Sequence, residues 1–144
     1  MNWIILILVL IAGTATSFQA GANGALGKKA GIIEAAFTSF LVGTIFLSVL
    51  MIFLRKGNIL QVFEVPKWQL TGGLLGAFYI IIMVIAVPRI GIAAALLTLI
   101  VGQLASSAVI DHFGIIGDRQ IPLDTRRIGG LLLMGVALFL FYKK

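Results

Sequence analysis

The stretch GIAAALLTLIVGQLASSAVIDHF, residues 91–113, decides the fold class of this chain, because its first twenty residues carry no charge. A helix that crosses a bilayer needs about 20 predominantly apolar residues. Elsewhere in the chain, four more stretches lack charged residues: 1–27, 35–54, 68–88 and 128–142. The last one is short, and it reaches spanning length when the arginines that flank it extend toward the headgroups. The sequence therefore predicts five membrane-spanning helices.

The composition agrees with an integral membrane protein. Of the 144 residues, 60% are hydrophobic and 11% are charged, whereas roughly 25% are charged in a soluble domain. The mean hydropathy is +1.15. A chain with so little polar surface cannot cover a water-soluble core. We predict an all-α fold, a helical bundle that forms a single transmembrane domain over residues 1–144, with spans at about 2–20, 31–54, 67–87, 91–113 and 125–142.

Local sequence gives two boundaries and one helix cap. The glycine-rich residues 21–29 predict a loop after the first span, and Pro88 with Arg89 predicts a break after the third span. Asp124 is predicted to cap the fifth span, because a side-chain oxygen at that position accepts a hydrogen bond from an unpaired backbone N–H.

The residue content argues against several function classes. The net charge of +6 comes from small groups of Lys and Arg at span ends, where headgroups receive them, so it does not indicate nucleic-acid binding. The absence of cysteine and the single histidine exclude thiolate and multi-histidine metal centres within one chain. No phosphate-binding loop, paired buried carboxylates or Ser-His-Asp pattern is visible. We therefore predict no enzyme activity, no metal and no cofactor.

Lys and Arg are almost evenly divided between the two membrane faces. With five spans, six of them lie on the side of the N-terminus and five on the opposite side. The first group is Arg55, Lys56, Lys67, Arg119, Arg126 and Arg127, and the second is Lys28, Lys29, Arg89, Lys143 and Lys144. An excess of these residues in cytoplasmic loops normally fixes orientation. Either local detail fixes one orientation, or copies insert both ways and pair as an antiparallel dimer of ten helices, the inverted arrangement that serves alternating access.

Small residues recur at every fourth position inside the predicted spans. Such rows let two helix backbones approach closely, which drives helix association in lipid. The candidate packing glycines are Gly13, Gly43, Gly72, Gly76 and Gly102. Any single row can serve simple packing within one bundle, and four rows in five helices together indicate a tightly packed assembly rather than independent anchors.

Polar side chains near the span midpoints, such as Gln103, are uncharged. A polar stripe runs from Gln103 to Asp111, which lies near the end of the fourth span. Gln103, Ser107 and Asp111 are spaced by four and share one face of the fourth span. Because polar groups in lipid are costly, this stripe either lines a solvated cavity or forms hydrogen bonds between helices. The candidate solute-binding residues are Gln103 and Gln19, for amide hydrogen bonds, and Ser39 and Thr16, for hydroxyl groups.

Four residues near span ends are candidate ion or gating contacts: Glu34, Arg89, Asp111 and His112. Each also has a simpler interpretation. Glu34 suits a helix N-terminus, where a carboxylate is favourable. Asp111 and His112 suit an interfacial or capping role, and Arg89 suits an extended position toward the headgroups.

An ordered set of motifs resembles a known family. The motifs are QAGAN with LGK at 19–28, SFLVGT at 39–44, GGLLGAFY at 72–79, AVPRIG at 86–91, GQL at 102–104 and DHFG at 111–114. Together they resemble the short five-helix bacterial branch of the drug/metabolite transporter superfamily. That branch is a family of unknown function related to the small multidrug resistance exporters.

The resemblance implies a multi-pass protein of the bacterial inner membrane that pairs antiparallel, with a second copy or with an oppositely oriented paralogue. It also implies transport of a small-molecule solute by alternating access. The small multidrug resistance exporters carry a glutamate within their first helix, whereas the first span here carries Thr14, Thr16 and Ser17. A dual-topology passive channel and a non-transporting membrane scaffold or accessory subunit are the alternatives.

Overall fold

Five long α-helices make up most of the computed structural model, which describes residues 2–54, 57–115 and 120–142. No strand occurs in those residues. In chain order the helices are α1 (Trp3–Ala30), α2 (Ile32–Leu54), α3 (Gly72–Ile90), α4 (Ile92–Phe113) and α5 (Thr125–Tyr142). All five are long and apolar enough to cross a membrane when the turn Lys67–Thr71 is counted with α3. The predicted all-α fold with five helices of spanning length is confirmed, and the dimer stays a prediction.

The chain divides into two compact units, Met1–Arg89 with α1, α2 and α3, and Ile90–Lys144 with α4 and α5. The single transmembrane domain over residues 1–144 stays a prediction. In the second unit, α4 packs on α5. The cap predicted for α5 is confirmed, because the backbone N–H of Arg127 donates to Asp124 Oδ1 at 2.8 Å.

The first helix is longer than the sequence predicted, since it continues through the glycine-rich residues 21–29. The loop predicted there is wrong. Glycine in a helix costs about 1 kcal/mol relative to alanine, and close packing offsets that cost here. A Cβ at Gly24 would lie 3.0 Å from Val87 Cγ1, and a Cβ at Gly27 would collide with Val84. At these two glycines α1 lies against Val87 and Val84 of α3, with no room for a side chain.

The predicted break at Pro88 is also wrong, because α3 continues through this proline and ends at Ile90. A proline inside a helix removes one backbone hydrogen bond, here the one to the carbonyl of Val84. The loss falls in the last turn, so little helix lies beyond it. The helix ends instead at Gly91, whose positive φ of 84° suits a residue without a side chain.

The connection from α2 to α3 carries two short 3₁₀ helices, Ile59–Phe63 and Lys67–Thr71. Asn58 caps the first one, since the backbone N–H of Leu60 donates to Asn58 Oδ1 at 3.0 Å. Pro66 precedes the second one, a position where a missing N–H does no harm. The α-helical part of the third span therefore begins at Gly72 rather than at Lys67.

The first three helices pack together at one end of the unit. This end contains the C-terminal half of α1, the first turns of α2 and the C-terminal half of α3. The buried cluster of this unit is Ala35, Ala36, Ile80 and Val84, with Leu26, Tyr79 and Ile81 packed against it. In α1 the buried residues are Ala20, Asn23 and Gly24, whereas residues 3–16 are all exposed. The C-terminal half of α1 is thus packed, and its N-terminal half is open.

Most of the predicted packing glycines face open space within the chain. Gly76 is the exception among the five, since a Cβ there would lie 3.2 Å from Phe40 Cζ in α2. A Cβ at the other four would meet no heavy atom within 4 Å in the part of the chain that the structure describes: Gly13, Gly43, Gly72 and Gly102. Packing of these four glycines against other helices stays a prediction.

The collision at Gly27 gives a direct test of the α1–α3 contact. We expect Gly27→Leu to lower the free energy of unfolding by about 1–3 kcal/mol, the usual cost of overpacking. Unfolding in mixed micelles, followed by circular dichroism, measures this change. Gly73→Leu in α3 is the control, and it should unfold like the original chain because its added side chain meets open space and Gly73 is not among the candidate packing glycines. Equal stability of the two variants would contradict the close approach at Gly27.

Candidate functional site

The polar stripe of α4 lies beside a groove that α4 forms with α5, here named the α4–α5 groove. Its polar lining residues are Ser107 and Asp111 of α4 and Arg127 of α5. The other lining residues are Leu104, Ala108, Gly130, Leu131 and Met134. Its volume of about 480 Å³ falls in the range of roughly 300–1,000 Å³ that is typical of small-molecule sites. Gln103, the third member of the stripe, is exposed and lies outside the groove.

An ion pair lies at the end of the α4–α5 groove, where α4 ends and α5 begins. Arg127 Nη1 donates to Asp111 Oδ2 at 3.3 Å, and the two side chains keep 37% and 41% of their surface exposed. Ion pairs this exposed contribute about 0–1 kcal/mol in water. Asp111 is therefore a contact between two helix ends in this fold, and its role as an ion or gating contact stays a prediction.

His112 forms hydrogen bonds that hold the residues just before α5 against the end of α4. Its backbone carbonyl accepts a hydrogen bond from Gln120 Nε2 at 2.7 Å, and its ring Nδ1 accepts one from the backbone N–H of Leu123 at 3.2 Å. The backbone carbonyl of Asp111 accepts another from the N–H of Ile121 at 2.9 Å. A neutral ring that accepts at Nδ1 carries its proton on Nε2. These are the contacts of a capping residue, and a gating role of His112 stays a prediction.

Asn23 is a buried polar residue that the candidate set omitted. It is 8% exposed, and its Nδ2 donates to Ser39 Oγ of α2 at 3.2 Å. A buried amide costs free energy unless it is paired, and this bond pairs it across the helix interface. Ser39 is thereby engaged between α1 and α2. The spacing of four from Asn23 to Gln19 and to Gly27 was the signal that could have identified it, because it puts Asn23 on the packed face of α1.

Thr16 and Gln19 continue the face of α1 that carries Asn23, seven and four residues before it. Both residues are exposed. The Thr16 hydroxyl donates to Gly13 O at 2.8 Å, so its proton is satisfied within the helix while its lone pairs remain. This face of α1 thus passes from a packed half at Asn23 to an open polar half at Thr16.

Glu34 and Arg89 lie at helix ends in the first unit. Glu34 is in the first turn of α2 and Arg89 in the last turn of α3, where a carboxylate and a guanidinium respectively interact favourably with the helix dipole. The Glu34 carboxylate folds back over Gly31, since a Cβ at Gly31 would collide with Glu34 Oε2. Both charged residues are exposed. Their roles as ion or gating contacts stay predictions.

The four candidate solute-binding residues are divided between the two units. Thr16, Gln19 and Ser39 belong to the first unit and Gln103 to the second, so a cavity shared by all four stays a prediction. The candidate set also omitted Arg127, which could have been found because α4 and α5 are consecutive spans, so that α5 begins on the membrane face where α4 ends. In the described residues, no group of three His, Asp or Glu side chains could hold a metal ion.

The chain matches a family model over residues 4–140, and the description of that family is "Putative inner membrane exporter, YdcZ". Among curated proteins and solved structures, no match to the chain is found. The family match confirms the resemblance to the drug/metabolite transporter branch and, with the five apolar helices, a multi-pass location in the inner membrane. From its motifs, its spans and this match, the chain belongs to the inner-membrane exporter family YdcZ.

Proposed function

We propose that the chain moves a small solute across the inner membrane by alternating access, as an antiparallel dimer. The observation that carries this proposal is Gln103, an exposed amide near the midpoint of the 22-residue helix α4. An amide that faced hydrocarbon at that depth would cost free energy, so it faces a partner helix or a wet cavity. Membership in an exporter family favours the wet cavity.

Exposed small-residue positions support a second copy as the partner of these helices. Gly13, Gly43 and Gly102 present bare backbone, with room for a side chain beside each of them in the described part of the chain. Helices in lipid associate through such positions. Two antiparallel copies would bring ten helices together around a two-fold axis in the membrane plane.

The charge balance supports antiparallel pairing. Lys and Arg number six on the N-terminal side and five on the other side. Five of these Lys and Arg residues lie outside the described residues, and they are assigned to a side by the order of the helices alone: Arg55, Lys56, Arg119, Lys143 and Lys144. An excess of one residue gives the insertion machinery almost no bias.

The proposed cavity residues select for a neutral or zwitterionic solute. Gln103 and Gln19 offer amide donors and acceptors. Thr16 offers hydroxyl lone pairs, because its proton is donated to Gly13 O. Ser39 already accepts from Asn23, and it keeps its own proton as a donor. None of these four side chains carries a charge that would favour an ionic solute.

Solute flux into proteoliposomes tests the proposed function. We expect a saturable flux that accelerates when solute is present on both sides. Gln103→Leu should weaken solute binding by about 1–3 kcal/mol, because a polar group of the solute loses its partner. The variant should fold, since leucine has a similar size. Affinity and melting temperature are measured in one detergent preparation, with a solute found by thermal-shift screening.

Gln69→Leu is the matched control for Gln103→Leu, because it makes the same change in the 3₁₀ helix before α3. It should bind solute like the original chain. A Gln103→Leu variant that melts earlier and binds normally would show that Gln103 is a packing residue. Single-channel currents would favour the passive channel, and the absence of flux for every solute bound would favour the scaffold or accessory subunit.

Tags on both termini test dual orientation. We expect about equal labelling of the two tags from outside intact cells, because the charge excess is one residue. Two lysines added next to Lys28 should bias insertion toward one orientation. Transport should then fall until an oppositely biased copy is supplied. One fixed orientation of the original chain would rule out the homodimer and require an oppositely oriented paralogue.

Gly102→Leu tests the contact between copies. The added side chain meets open space in its own chain, so the variant should keep its helix content while its dimer weakens, because an isobutyl group replaces a hydrogen at close approach. Native mass spectrometry and cross-linking in membranes measure the dimer fraction. An unchanged dimer fraction would place Gly102 outside the interface.

A further inference from the structure

We propose that the α4–α5 groove binds a phospholipid whose zwitterionic headgroup carries a primary ammonium. The ammonium group lies on Asp111, the phosphate on Arg127, and part of one acyl chain along the apolar walls of the groove. This site is separate from the proposed solute cavity, because Gln103 lies outside the groove. The inference does not depend on transport or on the dimer, since every residue that it uses belongs to one unit of one chain.

The position and depth of the groove suit a lipid. The ion pair lies where α4 ends and α5 begins, which is the headgroup level for two membrane-spanning helices. From there the lining residues extend to Leu104 along α4 and to Met134 along α5. Seven residues of helix rise by roughly 10 Å, so the groove runs from the headgroups into the hydrocarbon. That is the course of an acyl chain.

Asp111 and Arg127 can bind a zwitterionic headgroup while they remain paired with each other. Arg127 uses Nη1 for Asp111, and a guanidinium has further N–H donors in a planar fork that suits phosphate oxygens. Asp111 uses Oδ2 for Arg127, and the second carboxylate oxygen can accept from an ammonium. A choline headgroup has no N–H to donate to Asp111. A glycerol headgroup leaves the lipid anionic and brings no cation to that carboxylate.

The walls of the groove are apolar, as an acyl chain is, and they leave room for one. Leu104, Leu131 and Met134 supply apolar surface, and methionine adapts to flexible ligands. Gly130 leaves room between them, since a Cβ there would meet no heavy atom within 4 Å in the described residues. The groove therefore has a charged end and an apolar body, in the order in which a phospholipid presents its own parts.

Lipid retention by the full chain in detergent tests the headgroup assignment. The probes are phosphatidylethanolamine, phosphatidylcholine and phosphatidylglycerol with identical acyl chains, and native mass spectrometry counts the lipid that stays bound. We expect the first to be retained about tenfold more strongly than the other two, the difference made by one charge-assisted hydrogen bond. Asp111→Asn should reduce this preference to near equality. Equal retention of the three lipids by the original chain would overturn the proposal.

A pair of neighbouring glycines tests the groove itself. Gly130→Leu should fill the groove and lower phosphatidylethanolamine retention about tenfold, as expected when about two methylene groups are displaced. Gly129 does not line the groove and also has open space beside it, so Gly129→Leu is the matched control and should retain the lipid. Both variants should fold, because leucine favours a helix over glycine, and circular dichroism checks this.

Two outcomes of the glycine experiment would overturn the proposal. The first is equal lipid retention by Gly130→Leu and Gly129→Leu, which would show that the acyl chain does not occupy the groove. The second is binding of free phosphoethanolamine as tight as that of the lipid and unchanged in Gly130→Leu, which would show that the ion pair binds a soluble ligand.

Discussion

Close approach of helix backbones at glycine and alanine holds the first three helices together, and the rest of that unit depends on it. Lipid surrounds apolar side chains as favourably as protein does, so helices in a membrane associate through packing at small residues. Here Gly24 and Gly27 admit Val87 and Val84, and Ala35 lies in the same buried cluster. The Asn23–Ser39 hydrogen bond is possible because these small residues bring α1 and α2 so near.

The number of helices could be predicted from the sequence, but two helix ends could not, and the reason is the solvent. Glycine and proline are reliable signals of loops in water, because water satisfies the backbone groups that a broken helix exposes. In a bilayer those groups have no such partner. This adds to the close packing of Gly24 and Gly27 in keeping the glycine-rich end of α1 helical, and α3 also continues through Pro88, whereas the caps at Asp124 and Asn58 follow the rules that hold in water.

The polar residues of the candidate site could be predicted individually, but their partners could not. A spacing of four showed that Ser107 and Asp111 share a face of α4, and they do line the α4–α5 groove together. Periodicity predicts which side of a helix a residue occupies, but it does not predict which residue of a neighbouring helix lies opposite. Spacing puts Asn23 on the packed face of α1, and chain order puts Arg127 near the end of α4, but only the fold shows that they pair with Ser39 and Asp111.

The length of α1 has a consequence for how the protein responds to its membrane. Residues 3–27 are uncharged and helical, about 37 Å of helix against a hydrocarbon layer of about 30 Å. Such hydrophobic mismatch is relieved by tilt or by local thickening of the bilayer. Within the chain α1 has buried residues only in its C-terminal half, so a tilt about that packed half displaces the exposed N-terminal half most. A change in the tilt of α1 would therefore move Thr16 and its polar face, which makes bilayer thickness a variable to hold constant when transport by this chain is compared between membranes.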